Sequence, residues 1–378
     1  MKKVLIVGFG DYDQKLYPHL YEVIEYFKEK CDLTYYGFDR RGNELYELEN
    51  VIKKLFKLKI RYILLFFKKI KENINILKKI NKLKKEAKKI KYDVVIAIDH
   101  RSLNYLGKIY KNKTRLVFWS FDIIYYDENR YSSFLIKKMI KNNKKNIQYF
   151  DLIVVQDKER GFFIDSLLTC SNIKKIYLPV ALKEDEFSIK IAEIKRNKEI
   201  KDIPPVIIQM GGYTGRGSLD LLSQVRGKNL SIIIKGRADN ATFNYIDSDL
   251  ILKKQVEIKE MSNDFISMRK DISIADIGFI AYKVRDINHL FIEKASGQLV
   301  EFIKMGIPVI SCFADRLNDF INDNKIGVGL SNIDGFSNAV EEIIKKYSFF
   351  SMNSRNMFLN NFNLYNMIKE LEKNLLLV

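Results

Sequence analysis

Cysteine is scarce in this chain of 378 residues: Cys31, Cys170 and Cys312 are odd in number, far apart and form no C-x-x-C pair. Neither a disulfide framework nor a zinc site is suggested, and a reducing, cytoplasmic setting is expected. Proline is also scarce, at five residues, and with 47% apolar and 12% aromatic content there is no compositional sign of a long disordered tail. The apolar start KVLIVGF is short and halts at Asp11 and Asp13 without a cleavage-like segment, so it reads as a first buried strand rather than a leader. GFGDYD at 8–13 lacks the third glycine of a dinucleotide fingerprint, Asp13 standing in its place, so Gly8 and Gly10 read as turn glycines. Asp11-Tyr12-Asp13 has the letters of a metal-binding D-x-D but no further oxygen ligands beside it, and no metal is expected.

What is present in excess is positive charge, a net +18. Lys53 to Lys91 holds 16 Lys or Arg against Glu72 and Glu86, so most of the excess sits in one segment. Its apolar residues, among them Phe56, Ile60, Ile63, Phe67, Ile70, Ile74, Leu77, Ile80 and Leu83, recur every three or four positions, as on one helix face. Two readings are open: attachment to an anionic membrane surface, or a domain helix with a solvated lysine face. The longest apolar run here, YILLFF, is far short of the ~20 residues that span a bilayer. No stacking or base-reading pattern accompanies the charge, and nucleic acid is not an expected partner.

The length suits two α/β domains of roughly 150 to 200 residues each. Short β-rich runs alternate with helical patterns: KVLIVGF, LTYYGFD, YDVVIAID, RLVFWSFD, DLIVVQD and KKIYLPV. A charged, weakly patterned stretch follows from Lys183 to Asp202, and then a second series, VIIQMGG, LSIIIKG, LILKKQV, DIGFIAY, IPVISC and KIGVGL. The expected fold is therefore α/β, two Rossmann-like parallel-sheet domains facing across a cleft, over 1–182 and 183–360, with a helix in 361–378 crossing back onto the first. Ligands of such sheets bind beyond the carboxyl ends of the strands.

Glu293 to Cys312, EKASGQLVEFIKMGIPVISC, reads as a loop, a helix of about three turns and a strand. Ser296 is the expected N-cap, and Gly306 and Pro308 mark the stop. A helix starting at Ser-Gly directs free N–H groups and its positive dipole end at an anion such as a diphosphate. Glu301, on the second turn, has two acceptor oxygens suited to ribose hydroxyls. This segment resembles the E-x7-E signature of group 1 GT-B glycosyltransferases, with Glu293 and Glu301 as the acids and EFIKMGIPVI in the place of E-x-x-x-x-G-x-P-V-I. MGGYTGRGSLDLL, IIIKGR, FWSFD and IYLPV carry the resemblance further, and the layout is also similar to the spore-maturation subgroup.

That resemblance implies a nucleotide-sugar donor. Glu301 would hold its ribose, Glu293 its sugar, and Ser296 and Gly297 its diphosphate, with Arg216 and Lys235 adding positive charge and Gly212 and Gln298 lining the same site. The chain departs from the family in having Gly211 and Gly212 where an Arg is frequent, and Gln298 where a Lys is common. Transfer is expected to be retaining and metal-independent, although E-x7-E does not enforce the stereochemical outcome. In the first domain Asp99, His100 and Asp122 lie at strand ends, where His100 or Asp122 could hold or deprotonate an acceptor hydroxyl, or serve as caps. The implied acceptor is a cell-surface glycan, lipid-linked saccharide or glycoprotein. The rival readings are a nucleotide-sugar epimerase of the same architecture and a non-catalytic sugar-nucleotide-binding protein.

Overall fold

The computed structural model describes residues 1–9, 17–37, 78, 80–124, 133–200, 204–211, 217–236, 238–260 and 264–376. The chain divides into two compact units, one of Met1–Tyr17, Ile24–Val155 and Phe162–Ile176, the other of Pro18–Val23, Gln156–Gly161 and Tyr177–Val378. Residues 361–378 thus fall in the second unit.

The first unit is built on β1 (Lys3–Gly8), β2 (Asp32–Tyr36), β3 (Val94–Ile98), β4 (Arg115–Trp119), β5 (Leu152–Val155) and β6 (Lys174–Tyr177), ordered β2-β1-β3-β4-β5-β6. The β1–β2, β1–β3, β3–β4 and β4–β5 ladders are parallel. Each inner strand is a continuous run of apolar residues because both faces are covered: all of β3 and β5 are buried, with Leu103, Leu106 and Ile164 among the residues packed over them. The strand order reverses between β1 and β3, the position at which such sheets bind ligands. Helix α1 (Pro18–Lys28) begins on a proline, whose missing N–H costs nothing in a first turn. Helix α2 (Asp99–Tyr110) starts at Asp99, which takes a left-handed φ of 58°. Within the basic segment, residues 80–86 are helical, with Ile80 and Leu83 in the first core and Lys82, Lys84 and Lys85 exposed; this end of the segment spends its apolar face on its own unit.

Helix α3 (Lys158–Leu168) follows β5, and helix α4 (Glu186–Arg196) lies inside the stretch that reads as weakly patterned. The signal for α4 is at its start: Asp185 accepts the Ser188 N–H at 2.7 Å, and the Ser188 hydroxyl lies against the Asp185 backbone in a capping box.

The second unit holds β7 (Val206–Met210), β8 (Ser231–Lys235), β9 (Val256–Lys259), β10 (Ile277–Ala281), β11 (Val309–Cys312) and β12 (Gly327–Leu330), ordered β12-β11-β10-β7-β8-β9 with parallel ladders throughout. Its order reverses between β7 and β10. LILKKQV, expected as a strand, is instead helix α5 (Leu250–Gln255), and the strand begins only at Val256. Asp249 decides this by accepting the N–H groups of Ile251 at 2.8 Å and Leu252 at 3.2 Å, an N-cap that overrides the β-rich letters. Helix α6 (Phe265–Ile274) precedes β10, helix α7 (Gly297–Lys304) precedes β11, and helix α8 (Tyr347–Asn361) packs on α4 and α7. Helix α7 is eight residues long, stopped where Gly306 turns left-handed at φ 66°. Among the described residues no helix is long and apolar enough to cross a membrane, and the three cysteines are free and buried.

Candidate functional site

The carboxyl ends of β7 and β10 meet the start of α7, and the end of β8 lies beside that of β7. Gly211, just past β7, has φ 92° and donates its N–H to the Lys235 carbonyl at 2.7 Å. Gly236, just past β8, has φ 128°, and a Cβ there would stand 3.2 Å from the Gly211 Cα, so glycine lets the two strand ends close on each other. From the end of β10, the buried Tyr282 places its hydroxyl 3.1 Å from the Ser296 Oγ. Ser296 caps α7 as its sequence position indicates, accepting the Leu299 N–H at 3.2 Å. Gln298 donates its side-chain N–H to the Met210 carbonyl at 3.4 Å, tying the helix start to the end of β7. Among the described residues, and leaving aside its chain neighbours and its own helix backbone, nothing lies within 4 Å of where a Gly297 Cβ would be. The first-turn N–H groups and the positive end of the dipole therefore sit at the switch point of the second sheet, an arrangement suited to an anion.

Glu293, in the turn before α7, is 7% exposed. Its Oε1 accepts from Arg316 Nε at 3.1 Å and Nη2 at 2.7 Å, while its buried Oε2 accepts no hydrogen bond from any described residue. Arg316 also lies 4.6 Å over the Phe291 ring and 3.5 Å from Glu159. The backbone leading to Glu293 is pinned by Arg160, which belongs to the same compact unit and donates to the carbonyls of Phe291 and Asn288, each at 3.0 Å.

Glu301 faces a buried cluster of charges. Arg269 of α6 donates to both its oxygens, Nε to Oε2 at 3.0 Å and Nη2 to Oε1 at 3.2 Å, and also to Glu22 at 2.7 Å and Asp185 at 3.3 Å. Lys304, fully buried one turn on, reaches Asp185 at 2.6 Å. Burial works against the Asp185 carboxylate, but the hydrogen bond and charge of Lys304 outweigh it and hold the group below the usual range. For Glu22 burial prevails over Lys304 and Arg269 and raises it. Lys235, at the end of β8, is paired with Asp271, which also takes Lys259 at 3.3 Å.

No protein-family model matches the chain, and no curated protein matches it. Solved structures do. HepE of Anabaena, in complex with UDP, is similar over the whole of both chains at 12% identity and a TM-score of 0.66. Sucrose-phosphate synthase from Thermosynechococcus elongatus matches over 99% of this chain and 98% of its own at 10% identity and a TM-score of 0.67. A glycosyltransferase from Rickettsia africae matches over 99% and 98% at 15% identity and a TM-score of 0.61. The fold is GT-B. At these identities the likeness is one of architecture.

The sequence-expected residues divide into groups on this GT-B framework. Glu293, Ser296, Gly297 and Gln298 gather at the α7 start; Glu301 is on the same helix within the ion cluster, and Lys235 is at the neighbouring strand end with its charge matched by Asp271. Gly212 and Arg216 lie outside the described residues, as do Asp11 to Asp13 and Lys53 to Leu77. His100 and Asp122 are in the first unit. His100 is 1% exposed, packs edge-on against Phe118, approaches Asn143 Nδ2 through Nδ1 at 3.2 Å and accepts the Ile124 N–H at 3.4 Å. Burial lowers it to about 4, which leaves a neutral, packed imidazole at neutral pH. Asp122 has an exposed side chain, and its backbone N–H is held by Asp99 Oδ1 at 3.2 Å. Residues that sequence reasoning missed are Tyr282, Arg269, Arg316 and Arg160. Tyr282 is foreshadowed by its place directly after DIGFIA, whereas the arginines sit in no motif.

Proposed function

We propose that the protein is a glycosyltransferase that moves a sugar from a nucleoside diphosphate sugar to a glycan, glycolipid or glycoprotein acceptor, with retention and without a metal. The observation that carries this reading is the capped N-terminus of α7 at the β7–β10 switch point, with Tyr282, Gln298 and the unpaired Oε2 of Glu293 beside it. HepE is described in complex with UDP and with UDP-glucose, which supports a donor of that class. In this reading the first-turn N–H groups and Ser296 take diphosphate oxygens, and Glu293 takes the sugar. Glu301, each of whose oxygens accepts one hydrogen bond from Arg269, takes the ribose in this reading. The bond from the anomeric carbon to the β-phosphate oxygen breaks with its electron pair on the diphosphate, where fixed N–H dipoles stabilise the developing charge. The acceptor oxygen bonds to the same face of that carbon, and its proton passes to the departing diphosphate oxygen.

The test is incubation of the purified protein with labelled nucleotide sugars and candidate acceptors, with products assigned by NMR. Equimolar nucleoside diphosphate and an α-linked product from an α-donor support the proposal, whereas an isomerised nucleotide sugar without transfer points to an epimerase and no turnover to a binding protein. If the acceptor is lipid-linked, the proposal has Lys53 to Lys91 hold the protein at the inner face of the cell membrane. Replacing those lysines should then lower activity on a liposome-borne acceptor and spare a soluble analogue; equal loss on both would sink the membrane assignment.

A further inference from the structure

Asp157 stands where β5 runs into α3 and has no part in the site drawn so far. It belongs to the same compact unit as Glu293 and is 2% exposed. One oxygen is accounted for: Oδ1 accepts the Arg160 N–H at 2.7 Å and caps α3. The other, Oδ2, is buried and ion-paired with Arg160 Nε at 3.7 Å, but accepts no hydrogen bond from any described residue. Glu293 repeats the arrangement, with Oε1 satisfied by Arg316 and Oε2 buried without a hydrogen bond. The two carboxylates sense each other's charge, and the segments that carry them are joined twice. Arg160, three residues after Asp157, holds the Phe291 carbonyl two residues before Glu293; Arg316 touches both Glu293 and Glu159.

A buried carboxylate oxygen that accepts no hydrogen bond is costly, and a ligand that supplies the donor relieves that cost. The kind of ligand follows from the arginines. Arg316 and Arg160 already offset the charge of the two acids, so what remains unused is hydrogen-bond acceptance rather than net negative charge. That combination suits neutral hydroxyl groups and disfavours both a phosphate and a free cation. Burial, the largest influence on Asp157, raises it above the usual carboxylate range, with Glu293 adding to the rise and Arg160 opposing it, in keeping with a group whose charge is not its role.

We infer that Asp157 is a sugar-positioning residue: its Oδ2 and Glu293 Oε2 together receive hydroxyl groups of the donor's sugar. The inference rests on the proposed donor site, and it adds a contact that distinguishes a nucleotide sugar from the bare nucleotide. Asp157→Asn and Asp157→Ser both keep an N-cap for α3, since Asn, Ser and Asp cap about equally well, while the first turns the acceptor into a donor and the second removes it. Calorimetric titration with UDP and UDP-glucose, GDP and GDP-mannose, and ADP and ADP-glucose gives, for each protein, the ratio of affinities for sugar-bearing and bare nucleotide. The expected result is a loss of about ten-fold or more for the sugar-bearing form in both variants, corresponding to ~1.4 kcal/mol, with bare-nucleotide affinity unchanged. If neither form weakens, or both weaken equally, Asp157 does not read the sugar and the donor site stands without it. If the wild-type protein binds no nucleotide at all, both readings fall.

Discussion

Gly278 in β10 lies directly beneath the Phe302 ring of α7, so close that a Cβ on the glycine would stand 2.4 Å from Phe302 Cδ2. The helix that presents Ser296 and Gly297 is thus seated on the sheet through a strand residue with no side chain, and its height above the strand ends is set there.

Gly278→Ala should accordingly destabilise the protein by about 1 to 3 kcal/mol through overpacking, because Phe302 is fully buried and has nowhere to retreat. Urea denaturation at neutral pH measures this directly, and an unchanged midpoint would mean that the helix shifts freely on the sheet. A shift of that kind would also displace the capped terminus from the strand ends.

The ion cluster around Arg269 predicts an asymmetric mutational response. Arg269→Met leaves Glu301 and Glu22 buried without their shared cation and should cost about 3 to 5 kcal/mol. Adding Glu301→Met to that variant should restore part of the loss, since a buried carboxylate is removed with its partner. Additive losses in the double mutant would show that the two residues do not depend on each other.

His100 predicts a pH dependence whose sign can be worked out. Its folded value is lowered to about 4 from an ordinary value near 6.5, so below pH 6.5 the unfolded chain binds the proton more readily than the folded one. Stability from this group is fully present above pH 6.5 and is lost as pH falls toward 4, by about 3 kcal/mol across the window. Denaturation curves of wild type and His100→Gln across that range should converge on acidification; parallel curves would show the imidazole to be solvated.

The alternation of short apolar strands with helical patterns made both sheets legible, because a parallel sheet covered on both faces needs continuous apolar strands. It failed at LILKKQV, where an Asp249 cap outweighed β-rich letters, and in 183–202, where the start of α4 lies in a local capping box that apolar periodicity does not register. Ser296 and Gly306 were legible as helix signals because capping and a left-handed stop are local chemistry. The partners of Glu293 and Glu301 were not: Arg316 is 23 residues from Glu293 and Arg269 is 32 from Glu301, and only folding brings them together.

Gly297 offers the most direct test of the central claim, that the start of α7 receives the diphosphate of a nucleotide. With no described residue within 4 Å of its Cβ position beyond its own helix and chain neighbours, Gly297→Val should fold with a Tm within about 2 °C of wild type, a change of about 1 kcal/mol at most for one unit, while adding two methyl groups at the first turn. Isothermal titration of both proteins with UDP, GDP, ADP and CMP should show that the wild type binds at least one of the diphosphates, and that the variant binds it at least about ten-fold more weakly. Equal affinity in the two proteins, or binding by neither, would contradict the assignment of the α7 terminus as the nucleotide site.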